Sequence, residues 1–363
     1  MKAAIISLGS KSSFMVGEAM KRHFESVDMI NLKDIEISLG KEYGILCEGK
    51  KLDNYDCIYV KGSFRYANLL RSIAVLLKGK IPYMPISENA FTLAHNKLLT
   101  HLALQQRNIP MPKTYLSSTI DAAKDLLKKV NYPIVMKFPE GTQGKGVMFA
   151  DSISSASSML DALGALKQPF IIQEYIETEG SDVRALVVGE KVVGAMRRIA
   201  KGDEKRANLH AGGKGESVQL SREAINIAVE SAKALKADVC GVDILESHLG
   251  PLVIEANVSP GLQGLSEVST IDVSEEIAKY FYRKTAEIVG ELRKEETDKV
   301  MKEIRLKEDV ASGAGQEIIT ELKFRADRIL LPEIVTKITK FNDRKEYSIK
   351  AGKGKLEIKE FKI

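Results

Sequence analysis

Short apolar segments alternate with amphipathic ones over the first ninety residues. Ala3–Leu8 and Cys57–Val60 are continuous apolar runs, which are typical of buried strands. Met15–Phe24 and Leu69–Leu77 repeat their apolar residues with the period of a helix. Alternating strands and helices favour parallel pairing, because a crossover helix returns the chain to the same edge of a sheet. We therefore predict an open α/β sheet here.

The central part of the chain predicts a mixed α+β architecture. Helices are expected over Phe91–Gln106, Ile120–Lys129 and Arg222–Lys236. Gly189-Glu190 has the composition of a hairpin turn. The predicted strands are Thr114–Leu116, Ile134–Phe138, Val147–Ala150, Phe170–Tyr175, Val183–Val188, Lys191–Arg197 and Leu252–Asn257.

The character of the chain changes after about residue 290. Glu291–Val310 is a densely charged helical stretch, and Ala311–Gly315 has the composition of a flexible linker. Arg328–Phe341 and Glu346–Phe361 alternate apolar and polar residues, which predicts a small β-rich extension. The expected organisation begins with an N-terminal α/β domain over residues 1–90 and two central subdomains over 91–175 and 176–290. A charged helix with linker over 291–315 and an appended module over 316–363 follow.

Composition narrows the class of protein. A chain of 363 residues is long enough for two or three domains. The longest apolar run, about Ile73–Leu77, is far shorter than the roughly 20 residues of a membrane span, so we expect no membrane partner. Cys47, Cys57 and Cys240 lack metal-ligand or redox spacing and fit a reducing, cytoplasmic location.

The net charge of +5 is confined to the C-terminal end. Residues 321–363 hold 12 Lys and Arg against 7 Asp and Glu, and the other 320 residues hold 42 of each sign. The basic character therefore belongs to the appended module, which we expect to bind an acidic partner or an RNA-bearing particle.

Three oxygen-bearing residues suggest a metal site. Two apolar strands flank a predicted turn at Gly250-Pro251, and a hairpin symmetric about Leu249 would place Asp243 opposite Glu255. Asn257 shares a face with Glu255, because side chains two apart in a strand point the same way. Such hard donors suit Mg²⁺ held jointly with substrate phosphates. The alternative is an exposed acidic edge of a solvated hairpin.

Two loops have the composition of anion-binding segments. Lys137 precedes a glycine-rich loop at 140–146, whose backbone N–H groups could approach phosphate oxygens, although an ordinary hairpin loop has similar composition. Arg206 and Asn208 precede paired glycines and would suit a group that gains negative charge, or a plain surface loop. The chain has neither a Walker A loop nor a Rossmann glycine fingerprint after the first strand.

These motifs together resemble those of the ATP-grasp ligases, most closely the RimK-type α-L-glutamate ligases, over residues 1–285. The motifs, in order, are Lys97, Lys137, the 140–146 loop, Gln173–Ile176, Asp182–Arg184, Arg206–Gly213, Gly241–Leu245 and Glu255–Leu262. The resemblance implies an ATP-grasp fold behind an N-terminal α/β domain. It implies ATP contacts at Lys97, Lys137, Gly141, Gly144, Gly146, Glu174, Tyr175, Asp182, Arg206 and Asn208. It gives Arg206 and Asn208 a catalytic role at the phosphates or acyl phosphate. Asp243, Glu255 and Asn257 would hold two Mg²⁺ ions, with Mn²⁺ as a substitute.

The implied reaction joins a carboxylate to an amine with formation of ADP. The expected amino acid is L-glutamate and the expected acceptor a protein C-terminus, as in the ribosomal-protein modifiers. The alternatives are another amino acid, a small cofactor or peptide as acceptor, and ligation to a carrier protein. A nucleic-acid or ribosome-binding protein with an inactive ATP-grasp domain is the alternative of another class. We also expect an oligomer of unspecified order.

Overall fold

The computed structural model describes residues 1–40, 44–52, 54–139, 146–200, 214–248, 250–303, 323–325, 328–342 and 345–361. The chain divides into two units, Met1–Val289 and Gly290–Ile363. Within the described residues no helix is both long enough and apolar enough to cross a bilayer.

The first unit contains three sheets that matter for function, a small additional sheet and the helices that cover them. Its elements in chain order are β1 (Lys2–Ser7), α1 (Lys11–Met20), β2 (Ser26–Asn31), β3 (Ile35–Ser38), β4 (Gly44–Cys47), β5 (Lys50–Lys51), β6 (Cys57–Val60), α2 (Ala67–Leu77), α3 (Glu88–Ala94), α4 (Lys97–Gln105), β7 (Thr114–Tyr115), α5 (Ile120–Leu127), β8 (Ile134–Lys137), β9 (Val147–Ala150), α6 (Ile153–Ala165), β10 (Ile171–Glu174), β11 (Ser181–Val188), β12 (Lys191–Ile199), β13 (Lys214–Ser217), α7 (Arg222–Leu235), β14 (Val239–Ser247), β15 (Gly250–Asn257) and α8 (Gln263–Val268). Helix α9 (Val273–Glu303) follows.

The N-terminal sheet has the order β2-β1-β6, and both pairings are parallel. Every residue of β6 is buried, as expected for a parallel strand covered on both faces. The open parallel sheet predicted from the sequence is therefore confirmed. Its carboxyl edge brings the end of β1, at Ser7, beside the end of β6, at Val60.

Two antiparallel sheets follow. The four-stranded one has the order β7-β10-β8-β9 and packs against α5 and α6 in its own hydrophobic cluster, which includes Leu127, Met136 and Leu160. The five-stranded one has the order β13-β12-β11-β14-β15. Its buried residues, together with those of the N-terminal sheet, form a second, larger cluster.

Two predicted elements differ in the structure. The single helix expected over Phe91–Gln106 is two helices, α3 and α4, because the Asn96 side chain accepts a hydrogen bond from Leu99 N and starts a new helix. The turn expected at Gly250-Pro251 is the beginning of strand β15, since Gly250 pairs with Ser247.

The second unit contains two hairpins with a helix between them. Its elements are β16 (Lys323–Arg325), β17 (Arg328–Leu330), α10 (Glu333–Thr339), β18 (Tyr347–Gly352) and β19 (Lys355–Glu360). The helix replaces part of the strand pattern predicted for Arg328–Phe341. It begins directly after Pro332, with Glu333 in its first turn, where a negative charge is stabilised by the helix dipole. The predicted linker at Ala311–Gly315 lies outside the described residues.

Candidate active site

One face of the five-stranded sheet carries a row of charged residues. Cross-strand neighbours are Asp182 with Arg198, Arg184 with Asp243, and Asp243 with Glu255. The other face of the same strands packs into the core, because successive side chains alternate between faces. The sheet thus holds three acids and two arginines on one surface.

These charges form a buried ion-pair network. Arg184 donates from Nε and Nη2 to the two oxygens of Asp243, both at 2.7 Å. Arg198 donates in the same way to Asp182, at 2.6 and 2.7 Å, and its Nη2 lies 2.8 Å from Asp243 Oδ2. Each guanidinium is therefore paired in the planar, two-bond geometry that makes such contacts strong.

The network keeps Asp243 ionised and makes Asp182 the more easily protonated acid. Burial by itself would raise the pKa of Asp243, but the charges of Arg184 and Arg198 outweigh it and lower that pKa. Burial raises the pKa of Asp182, and the charge of Asp243 adds to the increase, although Arg198 opposes both. Asp243 is thus the carboxylate that the arginines stabilise.

The facing of Asp243 and Glu255 depends on a β-bulge. Ser247 to Ile244 pair with Gly250 to Val253, and Asp243 then pairs with Glu255, so Ile254 is the extra residue. The expected opposition of the two acids is confirmed, but the bulge produces it rather than a symmetric hairpin. A bulge of this kind re-aims a side chain.

The three predicted metal ligands differ in how many hydrogen bonds their oxygens already accept. They are Asp243, Glu255 and Asn257. Both oxygens of Asp243 accept bonds from guanidinium groups. Glu255 and Asn257 line a cavity, and Asn257 Oδ1 accepts a bond from Ser259 N at 2.8 Å. Within the described part of the chain, no three or more His, Cys, Asp or Glu residues converge as metal ligands. Of the three predicted ligands, the carboxylate of Glu255 and the amide of Asn257 are therefore the ones that line the cavity, which suits Mg²⁺ shared with phosphates.

Two lysines lie near these donors. Lys137 Nζ donates to Gln173 Oε1 at 2.6 Å, and Gln173 in turn donates to Thr114. Burial lowers the pKa of Lys137 to about 8, while the negative charge of Glu255 partly offsets that decrease. Lys97 begins helix α4, where its backbone N–H donates to Pro139 O, and it lines the same cavity.

The other predicted nucleotide contacts are divided between described and undescribed residues. Glu174 ends β10 and accepts a bond from the Tyr115 hydroxyl at 3.2 Å. The Tyr175 ring meets Phe149 edge to face. Gly146 has φ of +77°, and a Cβ there would lie 2.2 Å from the Phe138 ring, so the position requires glycine. The remaining predicted residues, Gly141, Gly144, Arg206 and Asn208, lie outside the described residues.

A cavity of about 340 Å³ joins this site to the carboxyl edge of the N-terminal sheet. Lys61, His101 and the serines between the end of β1 and the first turn of α1 line it in addition to the predicted residues. The sequence pattern did not identify Lys61, His101 or these serines as site residues. The available signal was the position of Lys61, directly after a fully apolar strand that ends at the carboxyl edge of a parallel sheet.

The first unit has the ATP-grasp fold. The ATP-grasp ligase PsnB, solved with a minimal precursor, Mg and ADP, superposes with a TM-score of 0.61 at 16% identity, over 78% of this chain and 97% of that one. The macrocyclase MdnC from Microcystis aeruginosa MRC, bound with precursor peptide MdnA, gives a TM-score of 0.60 at 16% identity, over 78% and 100%.

The sequence then identifies the family. The RimK-like ATP-grasp domain matches residues 94–281. A relative from Picosynechococcus sp. strain PCC 7002, called a probable alpha-L-glutamate ligase, is 34% identical over 295 residues, which are 79% of this chain and 97% of the relative. The chain belongs to the RimK-like ATP-grasp family, and it is an enzyme of the class that forms C–N bonds with release of ADP.

Proposed function

We propose that this protein uses ATP to join L-glutamate to the C-terminal carboxylate of a peptide or protein. The observation that carries the proposal is the convergence of Lys97, Glu255 and Asn257 on one cavity beside Lys137. Two independent likenesses support the choice of substrates. A relative is called a probable alpha-L-glutamate ligase, and ATP-grasp neighbours are solved with peptides.

The reaction has two steps. An oxygen of the acceptor carboxylate attacks the γ-phosphorus of ATP, ADP leaves, and an acyl phosphate forms. The amine of glutamate then attacks the acyl carbon, phosphate leaves, and the amine proton passes to solvent. Phosphoryl transfer needs positioning and charge neutralisation more than covalent help from the protein.

Each group of residues has a separate task in this scheme. Lys97 and Lys137 bind the phosphates, as do Arg206, Asn208 and the glycines Gly141, Gly144 and Gly146. Glu174 and Tyr175 bind the adenine. Glu255 and Asn257 hold Mg²⁺, which when bound neutralises the charge of the reacting phosphates. Asp243 and Asp182 keep Arg184 and Arg198 fixed beside Glu255. Asp243 would join Glu255 and Asn257 in holding the cation, since a carboxylate oxygen that accepts one hydrogen bond retains a second lone pair.

The appended module supplies a surface for the acceptor. The β18–β19 hairpin exposes Lys350, Lys353 and Lys355. A cluster of exposed lysines attracts an acidic partner and raises its rate of association. We assign this hairpin to capture of an acidic acceptor segment.

The test is a ligation assay with the full chain, ATP, Mg²⁺, labelled L-glutamate and candidate acceptors. The expected result is ADP together with labelled acceptor, and mass spectrometry distinguishes a peptide product from a small-molecule one. If no acceptor yields ADP together with labelled product, the proposed function is wrong.

A further inference from the structure

The cavity beside the predicted metal ligands lies at a switch point of the N-terminal sheet. Strand β1 is central: the chain first passes from β1 to β2 on one side and later returns to form β6 on the other side. In open parallel sheets the crevice outside the carboxyl ends of such strands is where ligands bind. Ser7 ends β1 and Lys61 follows β6, and both line the cavity.

Lys61 is a buried cation at this position. Its side chain is 5% exposed, and its ammonium donates to the carbonyl oxygen of Pro260. An ammonium has three donors, so one such bond leaves two for another acceptor. Among the described residues, no Asp or Glu forms an ion pair with Lys61, and burial is what acts on its charge. A buried charge without a counter-charge is costly unless a ligand supplies one.

The surroundings of Lys61 favour a small carboxylate. Ser10 caps α1, whose first turn carries no acidic residue, and Ser12 lies in that turn and faces the cavity. Ser63 also lines the cavity and makes no capping bond with its side chain. Hydroxyl donors and one ammonium suit an ion with a single negative charge. The volume of about 340 Å³ is near the lower limit for small-molecule pockets, which fits an amino acid rather than a folded segment.

The same cavity carries the groups that we assign to the reaction. Lys97, Glu255 and Asn257 line it together with Lys61. The loop after Asn257 is tied to the N-terminal sheet, because Gly62 N donates to Ser259 Oγ at 3.2 Å. A ligand in the cavity would therefore lie within reach of both the N-terminal sheet and the residues assigned to acyl-phosphate formation.

We propose that Lys61 binds the α-carboxylate of the incoming L-amino acid and so directs its amine towards Lys97, Glu255 and Asn257. This inference rests on the proposed ligase function and names the subsite for the amine substrate. Burial lowers the pKa of Lys61 to about 7, and a bound carboxylate would restore the charged ammonium by supplying the missing counter-charge.

The experiment measures amino-acid binding to the full chain by calorimetry, with Mg²⁺ and a non-hydrolysable ATP analogue and without acceptor. The probes are L-glutamate, its α-amide and a panel of the other L-amino acids. For the wild type, we expect L-glutamate to bind about 10- to 100-fold more tightly than the α-amide, the difference of one charged hydrogen bond. For Lys61→Met, that ratio should fall to within about 3-fold, and Lys61→Arg should restore part of it.

Two comparisons separate this role from a structural one. If Lys61 has only a structural role, Lys61→Met weakens binding by releasing the loop that contains Pro260. The preference for L-glutamate over its α-amide would then persist in this variant, and that result would overturn the inference. Lys21→Met, an exposed lysine at the end of α1, should leave both affinities unchanged. Failure of the wild type to bind any L-amino acid would also overturn it.

The proposed function has a different readout. Acyl-phosphate formation, trapped with hydroxylamine in the absence of amino acid, needs ATP and acceptor but not Lys61. Wild-type protein that forms no acyl phosphate contradicts the ligase proposal. Wild-type protein that forms it while Lys61→Met keeps the carboxylate preference contradicts only the subsite.

Discussion

Arg184 and Asp243 face each other on neighbouring strands, and the guanidinium donates to both carboxylate oxygens at 2.7 Å. The Asp243 side chain is almost completely buried, and Arg198 is its second partner. Asp243 is thus held ionised by the arginines without any bound metal. Glu255 lies opposite Asp243 in the sheet, because the bulge at Ile254 sets that register.

The first prediction concerns stability. Arg184→Met should lower the free energy of unfolding by about 3 kcal/mol, because it leaves only Arg198 to compensate the buried charge of Asp243. Urea unfolding followed by circular dichroism measures it. The matched control is Arg197→Met, which breaks an exposed pair with Glu246 on the same sheet and should cost less than about 1 kcal/mol. Equal losses in the two variants would show that the network contributes no more than a surface pair.

The second prediction concerns the metal ligands. Glu255→Gln removes the carboxylate that lines the cavity and should lower the ligation rate on the order of 100-fold, because charge neutralisation at the phosphates contributes several kcal/mol. Glu246→Gln, in the same hairpin but paired with Arg197 on the surface, should retain wild-type activity. Mn²⁺ titration of both variants separates weaker metal binding from slower chemistry. Unchanged activity of Glu255→Gln would remove Glu255 from the site.

The sequence predicts the parts of this site that depend on alternation and strand ends. Asp182, Arg184, Glu255 and Asn257 share faces as expected from two-residue spacing. The ion pairs of Asp243 were not predictable, because they join residues far apart in the chain whose strands are brought together by antiparallel pairing of β11 with β14. The spacing of residues along the chain does not predict a contact between such distant strands.

The errors in the predicted fold have local causes. A single helix was expected over Phe91–Gln106 because apolar spacing continues across the break, whereas the Asn96 cap interrupts the backbone. In the second unit, α10 was missed because a seven-residue helix gives too few turns to display its period. Lys61 was overlooked because one lysine after a strand has no significance until the parallel order of β1 and β6 is known.

The third prediction concerns pH. His101 is buried, its Nε2 lies 3.4 Å from the Ile254 carbonyl oxygen, and its Nδ1 has no hydrogen-bond partner. Burial, with help from the charge of Lys137, lowers the pKa of His101 from 6.5 to about 4. The unfolded chain therefore takes up the proton first as pH falls.

The contribution of His101 to stability should consequently be intact above about pH 6.5 and be lost as pH falls towards 4, by about 3 kcal/mol in all. His101→Leu removes this contribution, so the difference between the two unfolding profiles isolates it. A difference that stays constant from pH 7 to pH 4 would show that His101 titrates equally in both states.

The fourth prediction concerns the basic hairpin. Replacing Lys350, Lys353 and Lys355 by Glu should raise the acceptor KM about 10-fold or more at low salt, with the KM for ATP unchanged. The control for net charge replaces three other exposed lysines by Glu, namely Lys33, Lys50 and Lys51. The effect should shrink as salt increases, because screening weakens attraction between exposed charges. Equal effects of the two triple variants would exclude a specific role for the hairpin.

The most direct test of the ligase proposal is the stoichiometry of ADP and amide bonds. The full chain is supplied with ATP, Mg²⁺, L-glutamate and a library of peptides, once with free C-terminal carboxylates and once with amidated ones. The proposed activity predicts one ADP for each glutamate attached, and no ADP above background with the amidated library. ADP release that is independent of the acceptor carboxylate, or peptides that gain no glutamate, would contradict it.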